Sequence, residues 1–235
     1  MNIFESLVEL LLPRYCIICG NRLSSQEKHL CVHCNSMLPR TQAHLLEENP
    51  IEQLFWGKIP IERATSLFFY DAFGSRQIVY QMKYLQRPSV GIYCGEMMGR
   101  ELLSTGFFED IDIIIPVPLF WLRQMLRGYN QCHYFAKGLH NVTKIPVNTK
   151  VIKRTINNPT QTSLNHLERE NNVKDIFHLL HPEYIQGKHI LLVDDVITTG
   201  ATILSCAQEL TKAQNTKISI ISIAYAGEKF LTSEK

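Results

Sequence analysis

No apolar run in the chain approaches the ~20 residues that a membrane-spanning helix needs. Nor is there a G-x-x-x-x-G-K-[ST] loop or a G-x-G-x-x-G turn, which sets aside P-loop nucleotidases and dinucleotide-binding domains. Net charge is only +2, so no whole-protein basic field advertises nucleic acid, although local basic clusters are not excluded. Internal repeats and low-complexity stretches are missing as well. The first dozen residues, "MNIFESLVELLL", carry Glu5 and Glu9 and no positive n-region, which argues against a secretory signal. Their spacing predicts an amphipathic helix with Ile3, Phe4, Leu7, Val8 and Leu11 on one face.

What the chain does have is a core and a cysteine cluster. At 235 residues and 45% apolar, it suits one α/β domain with a small module attached. Its seven cysteines are an odd number without an export signal, so a reducing, cytoplasmic location is expected. Residues 14–40 read "RYCIICGNRLSSQEKHLCVHCNSMLPR". Here Cys16-x-x-Cys19 and Cys31-x-x-Cys34 form two knuckles eleven residues apart. Each CxxC turn aims two thiolates at one point, so the pair predicts a tetrahedral zinc site rather than disulfides or free thiols. Four thiolates fill the shell, which makes the site structural. His29 and His33 are then bystanders. So small a segment cannot bury a core, and metal binding worth about 10–16 kcal/mol would supply its folding energy.

After a polar, proline-bearing stretch at 41–62, the pattern changes. Apolar strands are predicted at 64–71, 110–118, 147–154, 188–195 and 217–226, and helices at 74–86, 90–104, 129–142 and 201–213. Continuous apolar strands alternating with helices imply an α/β fold, a parallel sheet covered on both faces. The implied organisation is an N-terminal helix and zinc module (1–40), a linker (41–63) and an α/β domain (64–235).

The most informative stretch is "ILLVDDVITTGAT", residues 190–202. In an open parallel sheet, ligands bind beyond the carboxyl ends of the strands. A helix starting near Ala201 would present unpaired N–H groups and the positive end of its dipole there. Gly200 lets the backbone close around an anion, and Thr198, Thr199 and Thr202 add hydroxyls. Asp194 and Asp195 would repel phosphate but accept hydrogen bonds from sugar hydroxyls. Neighbouring residues of a strand point to opposite faces, so the chain must bend for both acids to reach one ribose. Any one of these residues is an ordinary helix cap. Five polar side chains within nine residues, after a fully apolar strand, describe a ribose 5-phosphate site instead.

That stretch resembles the 5-phosphoribosyl 1-diphosphate (PRPP) signature of type I phosphoribosyltransferases. With the two cysteine knuckles, "KY", "PVP", "RGYNQ" and "NPTQTSL", nearly the whole chain resembles the ComF family, competence-associated phosphoribosyltransferase-like proteins. The resemblance implies a type I phosphoribosyltransferase-like sheet. It also implies PRPP binding by Val196, Ile197, Thr198, Thr199, Gly200, Ala201 and Thr202. Residues 113–131 would be the pyrophosphate loop, with Arg123 and Arg127 four apart on one helix face and a cis bond before Pro118 conceivable. Residues 154–173 would be a lid carrying Arg154, Gln161, Arg169 and Asn172. Asp194, Asp195 and Arg169 would carry catalysis, with magnesium accompanying PRPP. Residues 41–62 would be the hood that reads the acceptor, where Phe55 or Trp56 could stack on a base, or simply pack. Lys83 and Tyr84 match a family motif to which the sequence assigns only a helix end. The family name implies a link to DNA uptake. An alternative is a non-catalytic adaptor that senses PRPP or nucleotide, or binds single-stranded DNA through Trp121, Arg123, Arg127, Tyr129 and Tyr134. A docking role towards proteins of an uptake machine is a third reading. Neither the acceptor nor an oligomeric state is written in the sequence.

Overall fold

The computed structural model describes residues 13–70, 73–156 and 176–230. The helix expected at 3–11 and the lid residues Gln161, Arg169 and Asn172 lie outside them. The strands are β1 (Arg63–Phe69), β2 (Ile113–Pro116), β3 (Ile152–Arg154), β4 (Phe177–Leu179), β5 (His189–Ile197) and β6 (Lys217–Tyr225). The helices are α1 (Val32–Met37), α2 (Pro50–Gln53), α3 (Ser75–Tyr84), α4 (Pro88–Leu102), α5 (Trp121–Arg127), α6 (Gln131–Thr143) and α7 (Ala201–Leu210).

The main sheet is parallel, in the order β1-β6-β5-β2. Its strands are apolar at nearly every position because both faces are covered. Ile113, Ile115, Ile190, Leu192, Ile218 and Ile220 pack on one side with Ile203, Cys206 and Leu210 of α7. Ile114, Leu191, Val193, Ile221 and Ile223 pack on the other with Ile78 and Met82 of α3, Met98 of α4, and Phe135 and Leu139 of α6. Each such fully buried side chain contributes about 1.5–3 kcal/mol.

The strand expected at 147–154 divides instead. Val147 makes a single parallel bridge to Ile114, and Asn148 Oδ1 then accepts from Lys150 N at 2.8 Å, turning the chain away. β3 leaves the main sheet and pairs antiparallel with β4. Residues 41–62 contribute Ala43, Ile51 and Phe55, all fully buried, to the first core cluster. The cysteine segment is seated on the second cluster through Ile17, Leu30 and Leu38. Gly74 permits that seat, since a Cβ there would lie 2.7 Å from Ile18 Cδ1.

One contact governs where α6 begins. α4 reads "PSVGIYCGEMMGREL", with Gly91, Gly95 and Gly99 four apart on one face. α6 crosses that face so closely that a Cβ on Gly95 would lie 2.2 Å from Phe135 O. A Cβ on Gly138 would lie 2.1 Å from Ile92 O. Backbone atoms on both sides leave no flexible side chain to yield. The crossing sets the height of the α6 N-terminus, capped by Asn130 Oδ1 accepting from Cys132 N at 3.0 Å. Gly138→Ala is expected to lower stability by about 1–3 kcal/mol despite alanine's better helix propensity, read from urea unfolding midpoints. An unchanged or raised midpoint would contradict the close crossing.

Candidate functional site

Proline ends β2 and thereby opens the site. The last ladder bond between β2 and β5 is Val117 N donating to Val193 O at 2.8 Å. Pro118 follows and has no N–H to continue it. All described peptide bonds are trans, so the turn at Pro118 forms without the cis bond that its sequence allowed. Beyond this point β5 runs on beside β6 alone, with Asp194 opposite Ser222 and Val196 opposite Ala224.

Asp194 and Asp195 therefore lie at the carboxyl edge of the sheet, both buried. The strand runs through to Ile197 rather than stopping at Asp195. The two carboxylates nevertheless converge, each with an oxygen within 4.8 Å of the other and of Cys132 Sγ. Asp195 N donates to Asp194 Oδ1 at 2.8 Å, filling the place of the lost ladder bond. The Cys132 thiol donates to the same oxygen at 3.4 Å. Asp195 Oδ1 lies 2.9 Å from Lys83 Nζ, and Asp195 Oδ2 accepts from Gln131 Nε2.

These surroundings make the acids unequal. Burial, and after it the charge of Asp195, push the Asp194 carboxyl up to about 7 against the pull of its donors. Burial also pushes the Cys132 thiol well up, with both aspartates adding to it, so that thiol is a neutral donor. Burial opposes the charge of Lys83, but Asp195 and Asp194 overcome it and hold the ammonium above the usual lysine range.

A cavity of about 360 Å³ opens over the pair. Arg123 and Arg127 of α5, Arg154 at the end of β3, and Lys83 line it, together with Asp194, Asp195, Thr198 and Thr202. The positive wall has a plain origin. Residues 113–167 contain no Asp or Glu and seven Lys or Arg. Burial, and next the charge of Arg123, lower the Arg154 guanidinium from its usual range.

A smaller hollow of about 150 Å³ adjoins it, lined by Val196, Ile197, Thr198, Thr199, Gly200, Ala201 and Thr202. Gly200 caps α7 at φ 76°, a left-handed conformation that disfavours side chains. Its Cα also presses on Phe55, since a Cβ would lie 3.1 Å from the ring. Phe55 is thus a fully buried support for the loop, not a stacking surface, while Trp56 stays exposed. The N–H groups of the first turn of α7 have no intrahelical acceptors and favour an anion.

The structure brings Asp194–Thr202, Arg123 and Arg127 to one place. Gln161 and Arg169 lie outside the described residues. Sequence reasoning passed over Gln131 and Cys132, although both adjoin or lie in the "RGYNQ" motif, and it undervalued Lys83. Of the aromatics considered for nucleic acid, Trp121 is exposed, while Tyr129 and Tyr134 meet edge to face at 5.1 Å.

Two metal sites can be weighed on donor chemistry. Cys16, Cys19, Cys31 and Cys34 place their sulfurs within 4.8 Å of one another, with Cys19 and Cys31 3.8 Å apart. Four thiolates about 2.3 Å from a tetrahedral zinc ion are separated by about 3.8 Å. Backbone N–H groups of Cys31 and Cys34 donate to Cys16 Sγ and Cys31 Sγ at 3.4 Å, as a knuckle requires. The group fits zinc. Cys132, Asp194 and Asp195 fit magnesium poorly. A protonated thiol is no ligand for a hard cation, and the Lys83 ammonium already holds the cation's place at Asp195.

Residues 130–235 match the family described as "Phosphoribosyl transferase domain". The chain is 31% identical over 201 residues to "DNA utilization protein YhgH" of Escherichia coli O157:H7, covering 84% of each chain. It is 29% identical over 213 residues to "Competence protein F" of Haemophilus influenzae, covering 90% of this chain and 85% of that one. Among solved structures it is similar to the glutamine PRPP amidotransferase of B. subtilis, at 20% identity and a TM-score of 0.42. That match covers 60% of this chain and only 30% of the amidotransferase.

The raised Asp194 carboxyl has a consequence for stability. The folded chain keeps a proton on it that the unfolded chain loses near the ordinary value of 3.8. Its contribution is complete below that value and is lost as pH rises through about 7. Asp194 faces Asp195, Lys83, Cys132 and Arg154, none of which Asp194→Asn removes. Wild-type stability is expected to fall relative to Asp194→Asn as pH rises from about 4 to about 7, measured by urea unfolding at several pH values. A pH-independent difference would contradict the assignment.

Proposed function

The chain belongs to the ComF family, which includes competence and DNA utilization proteins, and on that premise we propose that its cavity binds PRPP and displaces the diphosphate. One observation carries this reading. A single cavity joins a buried acid pair to a helix N-terminus on one side and to three arginines on the other. Such a space suits a sugar with an anion at each end.

The 5-phosphate takes the hollow at Thr198–Thr202, where backbone N–H groups and hydroxyls surround it. The ribose hydroxyls donate to Asp195 and meet Asp194. The diphosphate lies against Arg123 and Arg127, with Arg154 beside them. Arg169 and Gln161 of the lid segment are assigned to the same ligand. In the reaction the C1–O bond to diphosphate breaks and a C1–N bond to the acceptor forms, through an oxocarbenium-like transition state. Pyrophosphate leaves with the bonding pair, and the acceptor nitrogen releases its proton to solvent. The protein's share is to hold C1 in line and to stabilise the leaving charge. Magnesium accompanying PRPP would supply charge that shields the diphosphate, while Arg123, Arg127 and Arg154 line the same cavity.

We assign residues 1–40 to a zinc module, 41–63 to a hood over the acceptor side, and 64–235 to the phosphoribosyltransferase-like domain. Zinc held by thiolates and free buried cysteines suit a reducing cytoplasm. The names of the relatives support a place in the handling of imported DNA.

Titration calorimetry with PRPP and Mg²⁺ tests the main claim. Wild type is expected to release or absorb heat with one site per chain, and Asp194→Ala/Asp195→Ala to lose it; a wild type that gives no heat would remove the claim. For the module, metal analysis is expected to find one zinc per chain, and Cys34→Ser to lose the metal and melt at lower temperature. A full complement of zinc in Cys34→Ser would contradict the four-thiolate site.

A further inference from the structure

Lys83 matches a motif whose chemistry the sequence left blank, and the proposed reaction gives it no work. It lies in the last turn of α3, 112 residues before the carboxylate it meets. Asp195 is held on both oxygens by two separate elements. Oδ1 pairs with Lys83 at 2.9 Å, and Oδ2 accepts from Gln131 at the first turn of α6. The Gln131 amide is itself oriented, since its Oε1 accepts from Arg127 Nη1 at 3.0 Å. Arg127 rests on the Tyr84 ring, 5.7 Å from its centroid, next to Lys83 in sequence. A closed chain of contacts therefore runs from the arginine wall through Gln131 to Asp195 and back along α3.

A purely structural ion pair would be sealed in the core. Lys83 instead opens into the cavity, with 21% of its side chain exposed, beside the acids it neutralises. A dianionic ligand entering above a carboxylate with no cation beside it would meet strong repulsion. The chain supplies that cation as the Lys83 ammonium, 2.9 Å from Asp195 Oδ1.

Resting on the ribose 5-phosphate reading above, we propose that Lys83 is a positioning residue for ribose recognition. With Gln131 it holds the Asp195 carboxylate in the orientation that accepts from the sugar diol. Asp195, held by these two partners, also lines the cavity. Asp194, which accepts from two donors on Oδ1, lines the same space.

The test compares ribose 5-phosphate with 2-deoxyribose 5-phosphate by calorimetry, in EDTA and in Mg²⁺, for wild type, Lys83→Met and Lys83→Arg. Wild type is expected to prefer the ribose compound in EDTA as in magnesium. Lys83→Met is expected to bind it roughly tenfold to a hundredfold more weakly, the loss of one charge-assisted contact. Its affinity for the deoxy compound, an equal dianion, should fall by less, so the preference shrinks, and Lys83→Arg should restore part of it. A merely structural lysine would weaken both ligands together and leave the ratio intact. Lys83→Met that keeps the wild-type preference overturns the inference while leaving the ribose 5-phosphate site standing. So does wild-type binding that collapses in EDTA. A wild type that binds neither sugar phosphate nor PRPP overturns the proposed function, and this inference with it.

Discussion

Two adjacent carboxyl groups buried at the end of a strand are stable only if donors and a cation reach them from elsewhere in the chain. An isolated buried carboxylate costs several kcal/mol or takes up a proton. Here Lys83 arrives from the end of α3, and Gln131 and Cys132 from the start of α6, while Asp195 lends its own N–H to Asp194. Much of the architecture is what this meeting demands. α6 reaches the acids because it crosses α4 backbone to backbone at Gly95 and Gly138. β2 stops short at Pro116, leaving room for α6 to take its place beside β5.

The same arrangement separates charges along the cavity. The acid-free stretch from residue 113 to 167 supplies the arginine wall, and β5 supplies the acids that face it. The α7 N-terminus adds a third kind of surface beside the acids, neutral but rich in donors. A net charge of +2 conceals this polarity because the acids of the chain lie mostly elsewhere. The cysteine segment is not remote from this machinery. It packs on the core cluster that contains Ile78 and Met82 of α3, the helix that delivers Lys83.

Much of the fold was legible because its causes are local. Uninterrupted runs such as "HILLVDDVI" and "KISIISIAY" announce strands buried on both faces, and the glycine and threonines after Asp195 announce the loop. What escaped was decided by tertiary contact. Lys83 looks like any solvated lysine at a helix end until α3 is laid against β5. The fate of Phe55 depends on a loop 145 residues away whose glycine needs a floor. The stretch 147–154 has the composition of one strand, yet Asn148 turns it after a single bridge, and β4 captures its end. Gly95 and Gly138 read as weak points in helices, and only the crossing shows why a methyl group cannot be accommodated there.

The central claim is a placement: a phosphate at the mouth of α7 and a diol at Asp195. The most direct measurement is a crystal structure of the full chain soaked with ribose 5-phosphate. The account expects the phosphate within hydrogen-bonding reach of the backbone of residues 198–202, and ring hydroxyls on Asp195 opposite Lys83. Phosphate held at Arg123 and Arg127 instead, with the acid pair untouched, would contradict it.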